Sequence, residues 1–277
     1  MGDLENIDGY FNFVLPLVKK AGELFLESKN QTIEVENKTA HDLVTIYDKK
    51  IEETLIEKIR TQYPSHKFIG EESCDGSKDL PPLTHDPTWI IDPVDGTTNF
   101  TKKLPLCGIS VGMTIDKEQV IGIVFIPYLN ELYTAVKGQG AFLNGERIYS
   151  SKVEEPKESL FCYEIGVASR NDHLHKVIMT RLQFLIKEVL SIRCLGCPVL
   201  SLCYVASGKL DGYQCEGLYP WDVAAGSLIL KEAGGFVIES SGKEFDIMKP
   251  NFLVTSTKAL AEKYLEIERR ADETWKE

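Results

Sequence analysis

The segment Trp89-Ile90-Ile91-Asp92-Pro93-Val94-Asp95-Gly96-Thr97-Thr98 constrains the chain more than any other. Three large apolar residues run straight into two carboxylates, so a short buried strand delivers charge to its own end. Pro93 stiffens the turn that follows, and Gly96 permits a close or unusual backbone path. Gly96-Thr97-Thr98 then opens a short helix, whose first N–H groups suit an anion, phosphate above all. Two carboxylates three residues apart on such a turn can converge, and they repel strongly unless a cation stands between them. Oxygen ligands with no His or Cys cluster beside them favour Mg2+ over zinc.

Other acids occupy comparable places. Glu71 follows a predicted strand over 67–69, and Asp222 stands at a helix start after Trp221. Asp48 lies in the first turn of a helix that opens with Thr45 as its cap. Taken singly, each reads as a helix cap, a first-turn charge or a solvated loop acid. Taken together, acids beside an anion-binding helix start are what phosphate chemistry requires: cations cancel phosphate charge, activate water and stabilise the leaving oxygen. The Asp-x-x-Asp spacing differs from the Asp-x-Asp expected of an aspartyl nucleophile.

Apolar periodicity predicts helices over 5–28, 45–62, 172–190, 198–207 and 222–233. Strands are predicted over 89–91, 107–115, 120–127, 131–136, 160–164, 210–215, 236–239 and 252–255, with a tight turn at Asn144-Gly145. Residues 74–88 read as a loop. Strands in runs with helices between them predict sheets layered with helices, not a regular βαβ array.

The 277 residues carry 42 acidic and 31 basic side chains, a formal charge of -11. That balance disfavours nucleic acid and anionic membranes as partners. The polar, acidic start differs from a signal peptide, and no apolar run is long enough to cross a bilayer, so a cytoplasmic protein is expected. The seven cysteines have no framework spacing and are expected as free thiols, the Cys194-x-x-Cys197 pair included.

The chain resembles the inositol monophosphatases, of the lithium-sensitive Mg2+-dependent phosphatase superfamily. Both signatures of that family are present: residues 89–100, and Trp221-Asp222-Val223-Ala224-Ala225-Gly226 running on to Glu232-Ala233-Gly234-Gly235. Gly70-Glu71-Glu72-Ser73 and Asp42-Leu43-Val44-Thr45 match too, in the family's order and across about the whole chain. The resemblance implies a five-layered αβαβα sandwich of the inositol monophosphatase and fructose bisphosphatase type. It implies one domain over 1–277, with a metal-binding part over about 1–149 and a part over about 150–277 that completes the site. It implies a homodimer and two to three Mg2+ ions per subunit. Glu71, Asp92 and the Val94 carbonyl would hold the first ion; Asp92, Asp95 and Asp222 would hold the second; Glu71 would assist a third. Thr97, paired with Asp48, would orient a metal-activated water for in-line attack on a small phosphorylated polyol, with Li+ as inhibitor. Gly96, Thr97 and Thr98 would hold phosphate, Asp95 and Asp222 would face the ring, and Lys38 would lie nearby on a mobile loop. One position departs from the family. Cys215 replaces a ring-binding Glu, and Glu216 follows it. Either a local shift brings Glu216 to the ring or the contact is lost, which leaves open another sugar, polyol or nucleotide phosphate as substrate. A non-catalytic paralogue is the remaining alternative.

Overall fold

The computed structural model describes residues 6–28, 35–39, 42–74 and 80–274, with the backbone alone for 35–39 and 42–44. In chain order the elements are α1 (Ile7–Glu27), β1 (Val35–Thr39), β2 (Asp42–Thr45), α2 (Ile46–Gln62), β3 (Lys67–Gly70), β4 (Thr88–Asp95) and α3 (Thr97–Thr101). Then come β5 (Gly108–Ile115), β6 (Glu118–Ile126), β7 (Glu131–Val136), β8 (Gly140–Leu143) and β9 (Glu146–Ile148). The remainder is β10 (Leu160–Tyr163), α4 (Asp172–Glu188), β11 (Ser191–Arg193), α5 (Pro198–Ala206), β12 (Gly212–Cys215), α6 (Pro220–Glu232), β13 (Phe236–Glu239), β14 (Phe252–Thr255) and α7 (Lys258–Glu273).

Two sheets carry the molecule. One has seven strands in the order β3-β4-β5-β6-β7-β8-β9, the other five in the order β11-β10-β12-β14-β13. Helices α1 and α2 cover one face of the larger sheet through β6 and β4, while α5 and α6 cover the other. The same α5 and α6 rest against β12, β13 and β14 of the smaller sheet, whose far side is packed by α7, with α4 alongside. The result is the expected αβαβα layering. The middle helix layer is buried on both sides, which explains why α6 is apolar almost all round. Among the described residues no helix is long and apolar enough to cross a membrane.

The close seating of α6 on the larger sheet is written into two glycines. Gly112 on β5 and Gly122 on β6 face each other in register. A Cβ at Gly122 would lie 2.5 Å from the Ala225 carbonyl oxygen, and one at Gly112 would lie 2.9 Å from the Ala224 Cβ. Only hydrogen at both positions lets the helix backbone lie this low. Gln119 fixes its rotation by donating to the Ala224 carbonyl and to Ser227 Oγ.

Several elements depart from the sequence expectation. The α7 helix and the short β8, β9 and β11 strands fall in segments that the sequence reading left unassigned. The β1–β2 pair is a hairpin, so Lys38 sits on a strand, not on the expected mobile loop, and its side chain lies outside the described atoms. The strand that begins at Trp89 continues through Asp95, where a turn was expected after Ile91.

Candidate active site

The extension of β4 is what brings its two acids together. Asp92 pairs with Ser110 on β5, and the next register partner is Asp95 with Gly108. Three steps on β4 therefore oppose two on β5, a β-bulge. In a regular strand, residues three apart point to opposite faces. The inserted residue resets the alternation, so Asp92 and Asp95 point to the same side. The Asp92 carboxylate closes the bulge by accepting from the Val94 N–H at 3.0 Å.

The third acid arrives from α6. Asp222 is the third residue of that helix, and its carboxylate accepts from the Tyr219 N–H at 2.6 Å. Ser110, the residue opposite Asp92, donates to the Trp221 carbonyl at 3.2 Å. This bond ties the helix start to the strand that carries Asp92. Ligand oxygens of Asp92, Asp95 and Asp222 all lie within 4.8 Å of one another. Burial pushes the Asp92 carboxyl well above its usual range, and Glu71, Asp95 and Asp222 push it further. Burial and Asp222 raise Asp95 to about 8. Three like charges so close are compatible only with bound protons or with a cation. The all-oxygen donor set of these three carboxylates fits Mg2+.

Glu71 hydrogen-bonds Asp92. Its turn is shaped by Glu52, which the sequence reading missed. The Glu52 carboxylate is buried and accepts from the Glu72 N–H at 2.9 Å and the Ser73 N–H at 2.7 Å. A visible signal existed: Asp48, Glu52, Leu55 and Ile59 form one buried stripe on α2, so an acid lies on an apolar face.

The anion-binding turn is equally tight. Gly96 has φ +79°, and a Cβ there would lie 3.0 Å from the Leu106 carbonyl oxygen and 3.1 Å from that of Gly196. Gly96 caps α3, which places Thr97 and an exposed Thr98 at the helix start. Asn99 is buried beneath them. Its amide donates to the carbonyls of Leu106 at 2.7 Å, Leu195 at 2.8 Å and Gly196 at 3.3 Å. Asp95 in turn accepts from the Val199 N–H at 2.8 Å and from Cys197 Sγ at 2.9 Å. Cys197 is a free, buried thiol, as expected, and it also donates to an acid of the cluster. All seven cysteines are free.

One expected contact is not made, and one of the two alternatives at the ring position is not realised. The Thr97 hydroxyl donates to the Val94 carbonyl at 3.1 Å, so it is not paired with Asp48. Asp48 instead accepts from the Thr45 N–H at 3.0 Å and from the Thr45 hydroxyl, closing a capping box, and its buried Oδ1 has no hydrogen-bond partner. Burial raises its carboxyl to about 7. Glu216 does not reach the site. It leaves the end of β12 toward α4 and α7 and pairs with Arg181 at 3.0 Å, in a cluster with Glu268 and Asp272. Successive residues point to opposite sides, and a buried guanidinium holds Glu216 on the far one. Cys215 remains at the strand end, 3% exposed.

A family profile described as "Inositol monophosphatase family" matches residues 7–273. The chain belongs to the inositol monophosphatase family. Its members are phosphoric monoester hydrolases. Inositol monophosphatase 3 of Solanum lycopersicum is 42% identical over 243 residues, covering 87% of this chain and 90% of that one. Inositol monophosphatase 1 of Bos taurus is 39% identical over 255 residues, 91% of each chain. Among solved structures, the Thermotoga maritima IMPase superposes with a TM-score of 0.84 at 30% identity, covering 96% of this chain and 99% of that one.

Proposed function

We propose that this chain hydrolyses inositol monophosphate to inositol and phosphate with Mg2+ as cofactor. The observation that carries the reading is the convergence of Asp92, Asp95 and Asp222 beside the Gly96 turn. Asp92, Asp95 and Asp222 would hold one ion; Glu71, Asp92 and the Val94 carbonyl would hold another, and Glu71 would assist a third. When bound, the ions supply charge neutralisation on the phosphate and a more acidic water. Gly96, Thr97 and Thr98 offer N–H donors to the phosphate oxygens. The Thr97 hydroxyl oxygen can accept a hydrogen bond from the attacking water and so orient it. Its own proton now rests on the Val94 carbonyl. Asp48 would be the partner of that hydroxyl when substrate is bound, and the Asp48 Oδ1 has no hydrogen-bond partner in this structure. Lys38 would serve as an auxiliary cation for the substrate. We further assign the protein to the cytoplasm, as a homodimer, which sedimentation at micromolar concentration tests directly.

The deciding assay is phosphate release from myo-inositol-1-phosphate with Mg2+, with and without millimolar Li+, beside Asp92→Asn. Lithium-sensitive turnover that the variant lacks is expected. Absence of turnover with every polyol phosphate tried would end the reading. A second reading keeps the chemistry and changes the substrate to another sugar or polyol phosphate. It is favoured by Glu216 being committed to Arg181, which leaves Cys215 with no replacement at the ring-binding position on β12. A preference for inositol-1-phosphate over hexose phosphates, unchanged by Cys215→Glu, would count against it.

A further inference from the structure

The end of β12 is flanked by a carboxylate that none of the roles above uses. Strands β10 and β12 run parallel, with Tyr163 opposite Gln214. The residue that follows β10 is Glu164, whose N–H donates to the Gln214 carbonyl at 3.3 Å. Glu164 therefore stands at the strand end alongside Cys215, and it is only 6% exposed. A buried carboxylate requires donors. Glu164 Oε1 accepts from the N–H groups of Leu195 and Gly196, both at 2.9 Å, and is 3.6 Å from Cys162 Sγ. Its Oε2 accepts from Cys194 Sγ at 3.0 Å.

The segment so held is part of the site wall. Asn99 grips its other side through the Leu195 and Gly196 carbonyls. The Gly196 carbonyl lies against Gly96, and Cys197 and Val199 donate to Asp95. Residues 194–199 are thus fixed by one carboxylate from behind, and they fix another carboxylate and the anion turn in front.

We propose that Glu164 is a positioning residue, whose carboxylate holds the 194–199 segment so that Asp95 and the Gly96 turn keep the geometry that binds substrate. The proposal rests on the phosphatase reading of the site. Glu164 touches neither the acid cluster nor phosphate; it acts through Leu195 and Gly196. An amide at this position keeps the shape, but its neutral oxygen accepts more weakly from the two N–H groups and its NH2 faces the Cys194 thiol in place of an acceptor.

The test uses the full chain with Glu164→Gln and the milder Glu164→Asp. KM and kcat are measured on myo-inositol-1-phosphate with Mg2+, and hydrogen exchange is followed in the same samples. Glu164→Gln is expected to raise KM about tenfold with kcat little changed, the signature of lost ground-state binding. Exchange should quicken at 194–199 and 95–97 and not elsewhere. Glu164→Asp should move both in the same direction by less, which preserves the test if the amide variant does not fold. Unchanged KM with unchanged exchange would overturn the assignment, as would lower kcat at constant KM. Cys194→Ala, which removes only the thiol donor, is expected to behave as wild type; if it reproduced the Gln variant, the backbone N–H groups would not be the operative contacts. Should the wild-type protein fail to turn this substrate over, the phosphatase reading fails separately, and the local exchange pattern alone decides the role of Glu164.

Discussion

At the scale of single residues, the site depends on positions where chemistry and backbone geometry coincide. Asp92 and Asp95 are useful together because one inserted residue turns them to the same side. Gly96 is required twice over, by φ +79° and by two carbonyl oxygens that leave no room for a Cβ. Gly96→Ala is therefore expected to cost at least about 1–2 kcal/mol from the left-handed backbone alone. It should also weaken phosphate binding, because the carbonyls of Leu106 and Gly196 must move. Thermal melts with and without inorganic phosphate measure both effects, and a wild-type melt with an undiminished phosphate shift would contradict the prediction. The motif 92–98 was legible in the sequence, because a strand end, a proline, a glycine and a helix start are local features. Glu52 and Glu164 were not singled out. The role of each is set by backbone N–H groups from segments distant in the chain, although Glu52 also shows locally as an acid on an apolar helix face.

At the scale of elements, the start of α6 is the component that must be delivered accurately. Asp222 joins the cluster because Gly112 and Gly122 let the helix lie on the sheet and Ser110 holds its first turn. A methyl group at Gly122 meets the Ala225 carbonyl at 2.5 Å, so Gly122→Ala must lift the helix. The expected cost is about 1–3 kcal/mol, typical of overpacking. The more telling outcome is a weaker apparent Mg2+ affinity in calorimetry, since Asp222 moves with the helix. Loss of stability with unaltered Mg2+ affinity would show that the close seating does not set the site. A second element-scale device lies on the opposite side of the smaller sheet. Arg181 on α4 gathers Glu216, Glu268 and Asp272, and burial raises Glu268 to about 8. Arg181→Ala strands these acids and should destabilise by about 3–5 kcal/mol, read from urea unfolding. The α7 helix that supplies two of them was missed from sequence. Its dense Lys, Glu and Arg content masks an apolar stripe of Leu260, Tyr264 and Ile267, which is apolar only where it meets α4 and β14.

At the scale of the whole molecule, the raised carboxyls couple stability to pH and to the cation. Asp95 titrates near 8 and Asp48 near 7, and Asp92 is also raised, each chiefly by burial. An unfolded chain releases these protons near pH 4, roughly the ordinary carboxylate value. Between about pH 4 and about pH 8 the cation-free folded state therefore holds more protons than the unfolded state, and its stability falls as pH rises. Melts in EDTA should show a midpoint that drops across that window, and Mg2+ should restore it most at the alkaline end. Binding of Mg2+ at pH 7 must also expel protons, which calorimetry in buffers of different ionisation enthalpy detects. A flat EDTA profile with no proton release would mean that the acids are already ionised.

The sequence by itself determined most of the strands and helices, which turn must hold glycine and which acids stand near those junctions, though not α7 or the run of β4 to Asp95. These are short-range matters of sterics, capping and alternation, and they sufficed to reveal the family. Only the tertiary structure decided which of the acids meet. Asp222 reaches Asp92 because a helix from the middle layer is seated on the larger sheet, and Glu216 fails to because Arg181 holds it on the other side of its own sheet. The Thr97 hydroxyl likewise found the nearby Val94 carbonyl in place of Asp48. For the acids the choice lies between partners far apart along the chain, and it is made by burial, which sequence pattern registers for a whole face but not for the one donor or charge that a given carboxylate will meet.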